Sequence, residues 1–170
     1  IPSSGGEGKL TELMNKETML SLANKNGFVT AKTWYIKNGK IPEDVEFPCI
    51  TKPVSSIKGS KSDIKICKDR NELFEFVNSI EEGVELLVQK YINKVLEYQL
   101  IGCSIDGGHK VVIPGYTEII RSTAVTNTGF LKYKSISDLE YNHNACIDFI
   151  QACNYSGLFS IEFIRDSEGV

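Results

Sequence analysis

A lysine at the end of an apolar run is the first residue of the sequence that could do chemistry. Lys52 follows the run from Phe47 to Thr51 and precedes a loop rich in serine, glycine and lysine, Ser55 to Ser62. A cation on a rigid strand beside backbone N–H groups supplies the donors that a bound phosphate needs. This pattern predicts a small anion site, and a solvated lysine at a strand end is the alternative for the motif taken alone.

A carboxylate in an apolar segment near the end of the sequence is the second candidate. Glu162 lies within the alternating run Phe159 to Ile164, so its side chain faces either solvent or a cleft. Mg²⁺ in proteins binds one or two carboxylates together with substrate phosphates. The two interpretations are therefore a magnesium ligand and a solvated charge. Arg121 follows a long predicted strand, where a guanidinium could stabilise an acyl phosphate or bind a substrate carboxylate.

Several short motifs follow one another in a defined order along the chain. They are Asn15-Lys16, Lys52-Pro53, Gly59-Ser60-Lys61, Val88-Gln89-Lys90-Tyr91-Ile92 with Glu97-Tyr98, and Gly157-Leu158-Phe159-Ser160-Ile161-Glu162-Phe163. In this order they resemble the motifs of the ATP-grasp superfamily, and they are most similar to its carboxylate–amine ligases. That group is typified by the carbamoyl phosphate synthase large chain, biotin carboxylase and D-alanine–D-alanine ligase. The resemblance extends from Asn15 to Gly169.

The resemblance implies a phosphate site formed by two lysines and a loop. Lys16 and Lys52 would reach the phosphates of ATP, one from each side. Lysine suits this role because its ammonium is a mobile point charge. The loop that folds over the phosphates would comprise Gly59, Ser60, Lys61 and Ser62. Ser62 stands where the family has its last glycine.

The resemblance also implies sites for the base, the ribose and the metal. The hinge around adenine would be formed by Gln89, Lys90 and Ile92. Gln89 replaces the usual glutamate of the family, and its carbonyl can still accept from the adenine amino group. Glu97 would accept from the ribose hydroxyls, and Glu162 would be the first Mg²⁺ ligand.

The implied reaction is the ATP-dependent formation of a C–N bond. A small carboxylate would attack the γ-phosphate of Mg-ATP to give an acyl phosphate, from which an amine or ammonia displaces phosphate. A phosphotransferase on the same fold and a non-catalytic nucleotide-binding module are the alternatives. The ligase is favoured over the phosphotransferase because the second half of the chain is not basic. We expect the chain to be a fragment that ends before the second metal motif and is inactive as a ligase by itself.

Composition narrows the partners and the compartment. The formal net charge of −3 and the pI near 5.5 argue against an extended nucleic-acid surface, which needs clustered Lys and Arg. No apolar run approaches the ~20 residues of a membrane span, so we expect no membrane contact. The five cysteines include no CxxC pair, which favours buried, reduced thiols and a cytoplasmic location.

The elements that must position these residues form an α+β protein of mainly antiparallel strands with a nucleotide cleft between two lobes. We expect a flexible lead-in at 1–8, a small lobe at 9–87, a hinge at 88–92 and an incomplete second lobe at 93–170. The predicted helices are Asn15–Asn26, one beginning at Asp69 with Glu72 at capping-box spacing, and Asp138–Cys153. Strands Thr33–Ile36 and Pro48–Lys52 are expected to be neighbours, and Asp106-Gly107-Gly108 predicts a hairpin turn.

Overall fold

The computed structural model describes residues 2–120 and 130–167, without the side chain of Lys61. Within these residues the α-helices are α1 (Lys9–Leu13), α2 (Lys16–Lys25), α3 (Arg70–Ser79) and α4 (His143–Ala152). The strands are β1 (Thr33–Tyr35), β2 (Cys49–Pro53), β3 (Ile66–Cys67), β4 (Leu86–Lys90), β5 (Leu96–Ile105), β6 (Lys110–Ile119), β7 (Leu131–Ser135) and β8 (Gly157–Arg165). Every strand pair is antiparallel. The predicted α+β class is confirmed.

The first sheet has four strands in the order β1-β4-β2-β3. Its strands alternate, so Trp34, Cys49 and Val88 form one core with Leu73 of α3, while Lys52 and Gln89 face the opposite side. The prediction that β1 and β2 are neighbours was wrong, because β4 lies between them. Strand β4, which comes later in the chain, pairs with both β1 and β2 and so separates them.

The second sheet has four strands in the order β7-β6-β5-β8. Tyr98, Leu100 and Tyr116 on one face pack with Cys146 of α4. Glu162 of β8 lies opposite Gln99 of β5. Both side chains therefore project from the other face of the sheet, away from the face of Tyr98. The turn predicted at Asp106-Gly107-Gly108 joins β5 to β6, as expected.

Helix α2 links the two halves of the structure. Asn15 caps it, since its side chain accepts hydrogen bonds from the N–H groups of Glu17 and Thr18. Met19 and Ala23 of this helix pack against Phe149 of α4. The helix begins at Lys16, so its N-terminus carries one of the candidate lysines.

Two expectations about the second half need correction, and one strand was missed. The helix predicted from Asp138 begins at His143, because Asn142 supplies the cap by accepting from the N–H of Ala145. Strand β7 was not predicted, since most of its side chains are exposed and give no alternating apolar signal. Among the cysteines, all of which are free thiols, Cys103 is exposed and not buried.

The capping carboxylate of α3 provides a test of the local fold. Asp69 Oδ1 accepts from the N–H groups of Asn71 and Glu72 at 2.9 and 3.0 Å. Loss of an N-cap side chain costs about 0.5–2 kcal/mol. We therefore expect Asp69→Ala to lower the free energy of unfolding by roughly 1 kcal/mol in urea denaturation. Asp69→Asn, which keeps the acceptor, is the control, and an equal loss in both variants would contradict the capping role.

Candidate functional site

A cavity of about 340 Å³ lies between the two sheets. One wall is apolar and comes from Met19 and Ala23 of α2 with Phe28 beyond it. Ile50 and Phe163 line it from the first and the second sheet, respectively. A mostly apolar cavity whose lining includes Lys52, Lys90 and Lys94 has the chemistry of a site for an anionic ligand with an apolar part.

Lys52 lines this cavity and is held by its neighbours on the first sheet. Its Nζ donates to Gln89 Oε1 at 2.8 Å. Gln89 Nε2 in turn donates to Thr33 Oγ1 at 3.0 Å, and that hydroxyl donates to the carbonyl of Ala31 at 2.8 Å. The chain of hydrogen bonds crosses three adjacent strands, β2, β4 and β1, so the position of the ammonium is fixed by a rigid sheet.

The charges around Lys52 come from both halves of the structure. Burial is the main cause that lowers the pKa of Lys52, and the nearby ammonium of Lys16 lowers it further. The carboxylates of Glu162 and Glu97 raise the pKa of Lys52. Lys52 is therefore a partly desolvated cation with a second cation on one side and two carboxylates of the second sheet within electrostatic range.

Lys16 is held at the start of α2 by two contacts. Its backbone N–H donates to the carbonyl of Val54 at 2.8 Å, and its Nζ donates to Ser56 Oγ at 3.1 Å. Burial lowers the pKa of this lysine as well. The structure thus brings together the two lysines that the sequence assigned to phosphate.

The connection between the sheets also lines the cavity, through Gln89, Lys90 and Ile92. The Lys90 ammonium turns outward and lies 3.1 Å from a carboxylate oxygen of Glu46. Tyr91 anchors the connection, since its N–H donates to the carbonyl of Pro48 at 3.0 Å.

Glu97 is almost buried, at 9% exposure, and forms an ion pair with Lys94. The Nζ to Oε2 distance is 2.5 Å. Lys94 lines the cavity but Glu97 does not. The carboxylate is therefore paired with a cavity-lining lysine that the sequence interpretation missed, although the spacing of three residues between Lys94 and Glu97 is a recognisable ion-pair signal.

Glu162 lines the cavity from β8 of the second sheet, within a row of polar side chains. Gln99 Nε2 donates to Glu162 Oε1 at 2.7 Å, and Thr117 Oγ1 donates to Gln99 Oε1 at 3.4 Å. Across the described ranges, no group of three or more His, Cys, Asp or Glu side chains is arranged to hold a metal. Glu162 fits Mg²⁺ only together with other oxygen ligands, such as phosphates and water.

The predicted phosphate loop does not line the cavity. The backbone of Gly59 approaches Pro53 so closely that an added Cβ would lie 2.0 Å from Pro53 Cβ. The N–H of Ser60 donates to Asp63 Oδ2, and the hydroxyls of Ser60 and Ser62 contact each other. The side chain of Lys61 and the whole of Arg121 lie outside the described residues.

Two supporting groups of the site were not predicted from the sequence. Thr33 and Gln99 each contact a candidate residue, but each is a single polar side chain in a strand and belongs to no motif. Strand register is what places them, Thr33 opposite Gln89 and Gln99 opposite Glu162. The only sequence signal for Gln99 was its position two residues after Glu97, on the same face of a strand.

Comparison with known proteins gives consistent matches of sequence and fold. No protein-family model matches the chain. A D-alanine–D-alanine ligase of Campylobacter jejuni is 36% identical over 100 residues, 54% of this chain and 27% of the relative.

Solved structures match over most of the chain. An L-amino acid ligase from Bacillus licheniformis covers 95% of it with a TM-score of 0.72 and 17% identity, over 39% of its own length. A carboxyaminoimidazole ribonucleotide synthase from Aspergillus clavatus, complexed with ATP, covers 93% with a TM-score of 0.73 and 12% identity, over 42% of its own length. Both likenesses concern the fold, and this chain spans less than half of either protein.

The buried charge of Lys52 predicts a pH dependence of stability. Its pKa in the folded chain lies below the ordinary value of 10.5, so the unfolded chain holds this proton to higher pH. Between those two pKa values the unfolded state binds more protons, and stability rises with pH. We expect the free energy of unfolding of the wild type to increase relative to that of Lys52→Met as the pH rises from about 7 towards 10.

Chemical denaturation at several pH values measures this difference. Lys110→Met, which removes an exposed lysine away from the cavity, is the matched control. A difference between wild type and Lys52→Met that stays constant over the pH range would show that the ammonium is not desolvated.

Proposed function

We propose that this chain, which has the ATP-grasp fold, is the ATP-binding part of a ligase that joins a carboxylate to an amine or ammonia. The observation that supports this most strongly is the placement of Lys52 on the wall of an apolar cavity between two sheets, with the Lys16 ammonium close enough to lower its pKa. Two partly buried ammonium groups are costly to keep together without an anion. A polyphosphate supplies that anion, and the apolar wall suits a purine base.

The described residues suit Mg-ATP in three respects. The apolar residues Met19, Phe28 and Ile92 border the space that a flat base would occupy. Lys16 and Lys52 supply point charges for phosphate oxygens. Glu162 supplies one carboxylate for Mg²⁺, which usually binds one or two carboxylates plus phosphates. Magnesium bound there would neutralise charge on the phosphates.

The proposed reaction belongs to the whole protein of which this chain spans a part. The chain covers about a quarter of the length of the curated relatives it matches, 27% in the relatives from Campylobacter jejuni. A carboxylate would attack the γ-phosphate and give an acyl phosphate, from which an amine or ammonia displaces phosphate. The residues described here would position ATP and neutralise its charge, which is how proteins catalyse phosphoryl transfer.

The proposed location is the cytosol. All five cysteines are free thiols, as expected in a reducing compartment. No helix in the described part of the chain is long and apolar enough to cross a membrane.

Loss of the Lys52 ammonium should weaken ATP binding. A charge-assisted hydrogen bond contributes about 1.5–3 kcal/mol, so Lys52→Ala should raise the Kd for ATP roughly 10- to 100-fold in calorimetry. Lys110→Ala removes the same formal charge at an exposed site outside the cavity and should leave the Kd nearly unchanged. An unchanged affinity of Lys52→Ala for ATP would contradict the proposed phosphate role.

The metal role of Glu162 predicts a change in the effect of Mg²⁺ on ATP binding. Wild type should bind ATP more tightly with Mg²⁺ than without it. Glu162→Gln should lose roughly tenfold of that enhancement, because a neutral amide replaces the carboxylate ligand, while metal-free ATP binding stays similar. Glu140→Gln, an exposed acid that does not line the cavity, is the control. An equal Mg²⁺ effect in wild type and Glu162→Gln would rule the assignment out.

A further inference from the structure

The amide of Gln89 has an orientation fixed from both ends. An ammonium can only donate, so Lys52 must face the amide oxygen, as the 2.8 Å contact with Oε1 has it. At the other end, the Thr33 hydroxyl uses its one proton on the carbonyl of Ala31, so its oxygen accepts from Gln89 Nε2. The Lys52 end does not tolerate a flipped amide, because a flip would place donor against donor there.

Strand register brings these groups together on one face of the first sheet. Gln89 of β4 lies opposite Thr33 of β1 and opposite Ile50 of β2. Lys52 is two residues beyond Ile50 and so projects from the same face. Gln89 is only 6% exposed, which leaves little of its amide for a ligand in the cavity.

A neutral amide suits a lysine that must attract an anion. It accepts a hydrogen bond from the ammonium and does not cancel its charge. A carboxylate at this position would form an ion pair with Lys52 and could not donate to the Thr33 hydroxyl. The other charged groups that act on Lys52 are Lys16, which repels it, and Glu97 and Glu162, which attract it towards the second sheet. The hydrogen bond from the ammonium to the Gln89 amide keeps the ammonium on the first sheet against both the repulsion by Lys16 and the attraction by the two carboxylates.

We propose that Gln89 is a positioning residue. Its side-chain amide, anchored by Thr33, holds the Lys52 ammonium at the phosphate end of the cavity and does not contact the adenine base. This inference rests on the proposed ATP site. It differs from the adenine contact that the sequence resemblance implied for Gln89, and the two roles predict different ligand dependences.

Calorimetry with three ligands separates the two roles. The ligands are ATP, inosine triphosphate, which lacks the amino group of adenine, and inorganic tripolyphosphate, which lacks base and ribose. For Gln89→Met, which keeps the side-chain length, a positioning role predicts that all three affinities fall by the same factor, about tenfold. An adenine contact predicts a loss for ATP with no loss for inosine triphosphate or tripolyphosphate, and that result would overturn the inference.

Two variants of Thr33 test whether its hydroxyl anchors Gln89, and they keep the inference testable if Gln89→Met does not fold. Thr33→Val removes the hydroxyl and keeps the β-branched shape, so all three affinities should fall in parallel by a smaller factor. Thr33→Ser keeps the hydroxyl and should bind all three ligands as wild type does. Equal binding by Thr33→Val and Thr33→Ser would overturn the anchoring role. Wild type that binds neither ATP nor tripolyphosphate would contradict the proposed function itself, and the inference with it.

Discussion

The ammonium of Lys52 is the group on which the arrangement of the cleft depends. Moving a cation out of water is expensive, and the burial of Lys52 is evident in its lowered pKa. A second cation, Lys16, adds repulsion. The structure offsets these costs with the hydrogen bond that Lys52 donates to the Gln89 amide oxygen and with the negative charges of Glu97 and Glu162. A bound anion would offset the remaining cost, as the proposed ATP site requires.

The fold positions the two lysines by independent means. Lys52 sits on β2, a central strand of the first sheet, and lies opposite Leu87 of β4. Lys16 is held by the start of α2, which is capped by Asn15 and joined to the first sheet through the carbonyl of Val54. Helix α2 also packs on the core cluster that contains Phe149 of α4, so it contacts both halves of the structure.

The order of the motifs predicted the fold and the proximity of Lys16 to Lys52. It could do so because each motif belongs to a local pattern, such as a capped helix or an apolar strand. The sequence did not predict strand order, because the placement of β4 between β1 and β2 depends on long-range pairing. For the same reason Thr33 and Gln99 were missed. Gln89 was assigned from its motif alone, and only the register of three strands brings its amide to Lys52.

A crystal structure of the chain with Mg²⁺ and a non-hydrolysable ATP analogue tests the central claim most directly. The account predicts the base against the apolar wall near Phe28 and Ile92, with phosphate oxygens within hydrogen-bonding distance of both Lys16 and Lys52. It also predicts that Gln89 keeps its contacts with Lys52 and Thr33. A nucleotide bound elsewhere, or one whose phosphates contact neither lysine, would contradict the account.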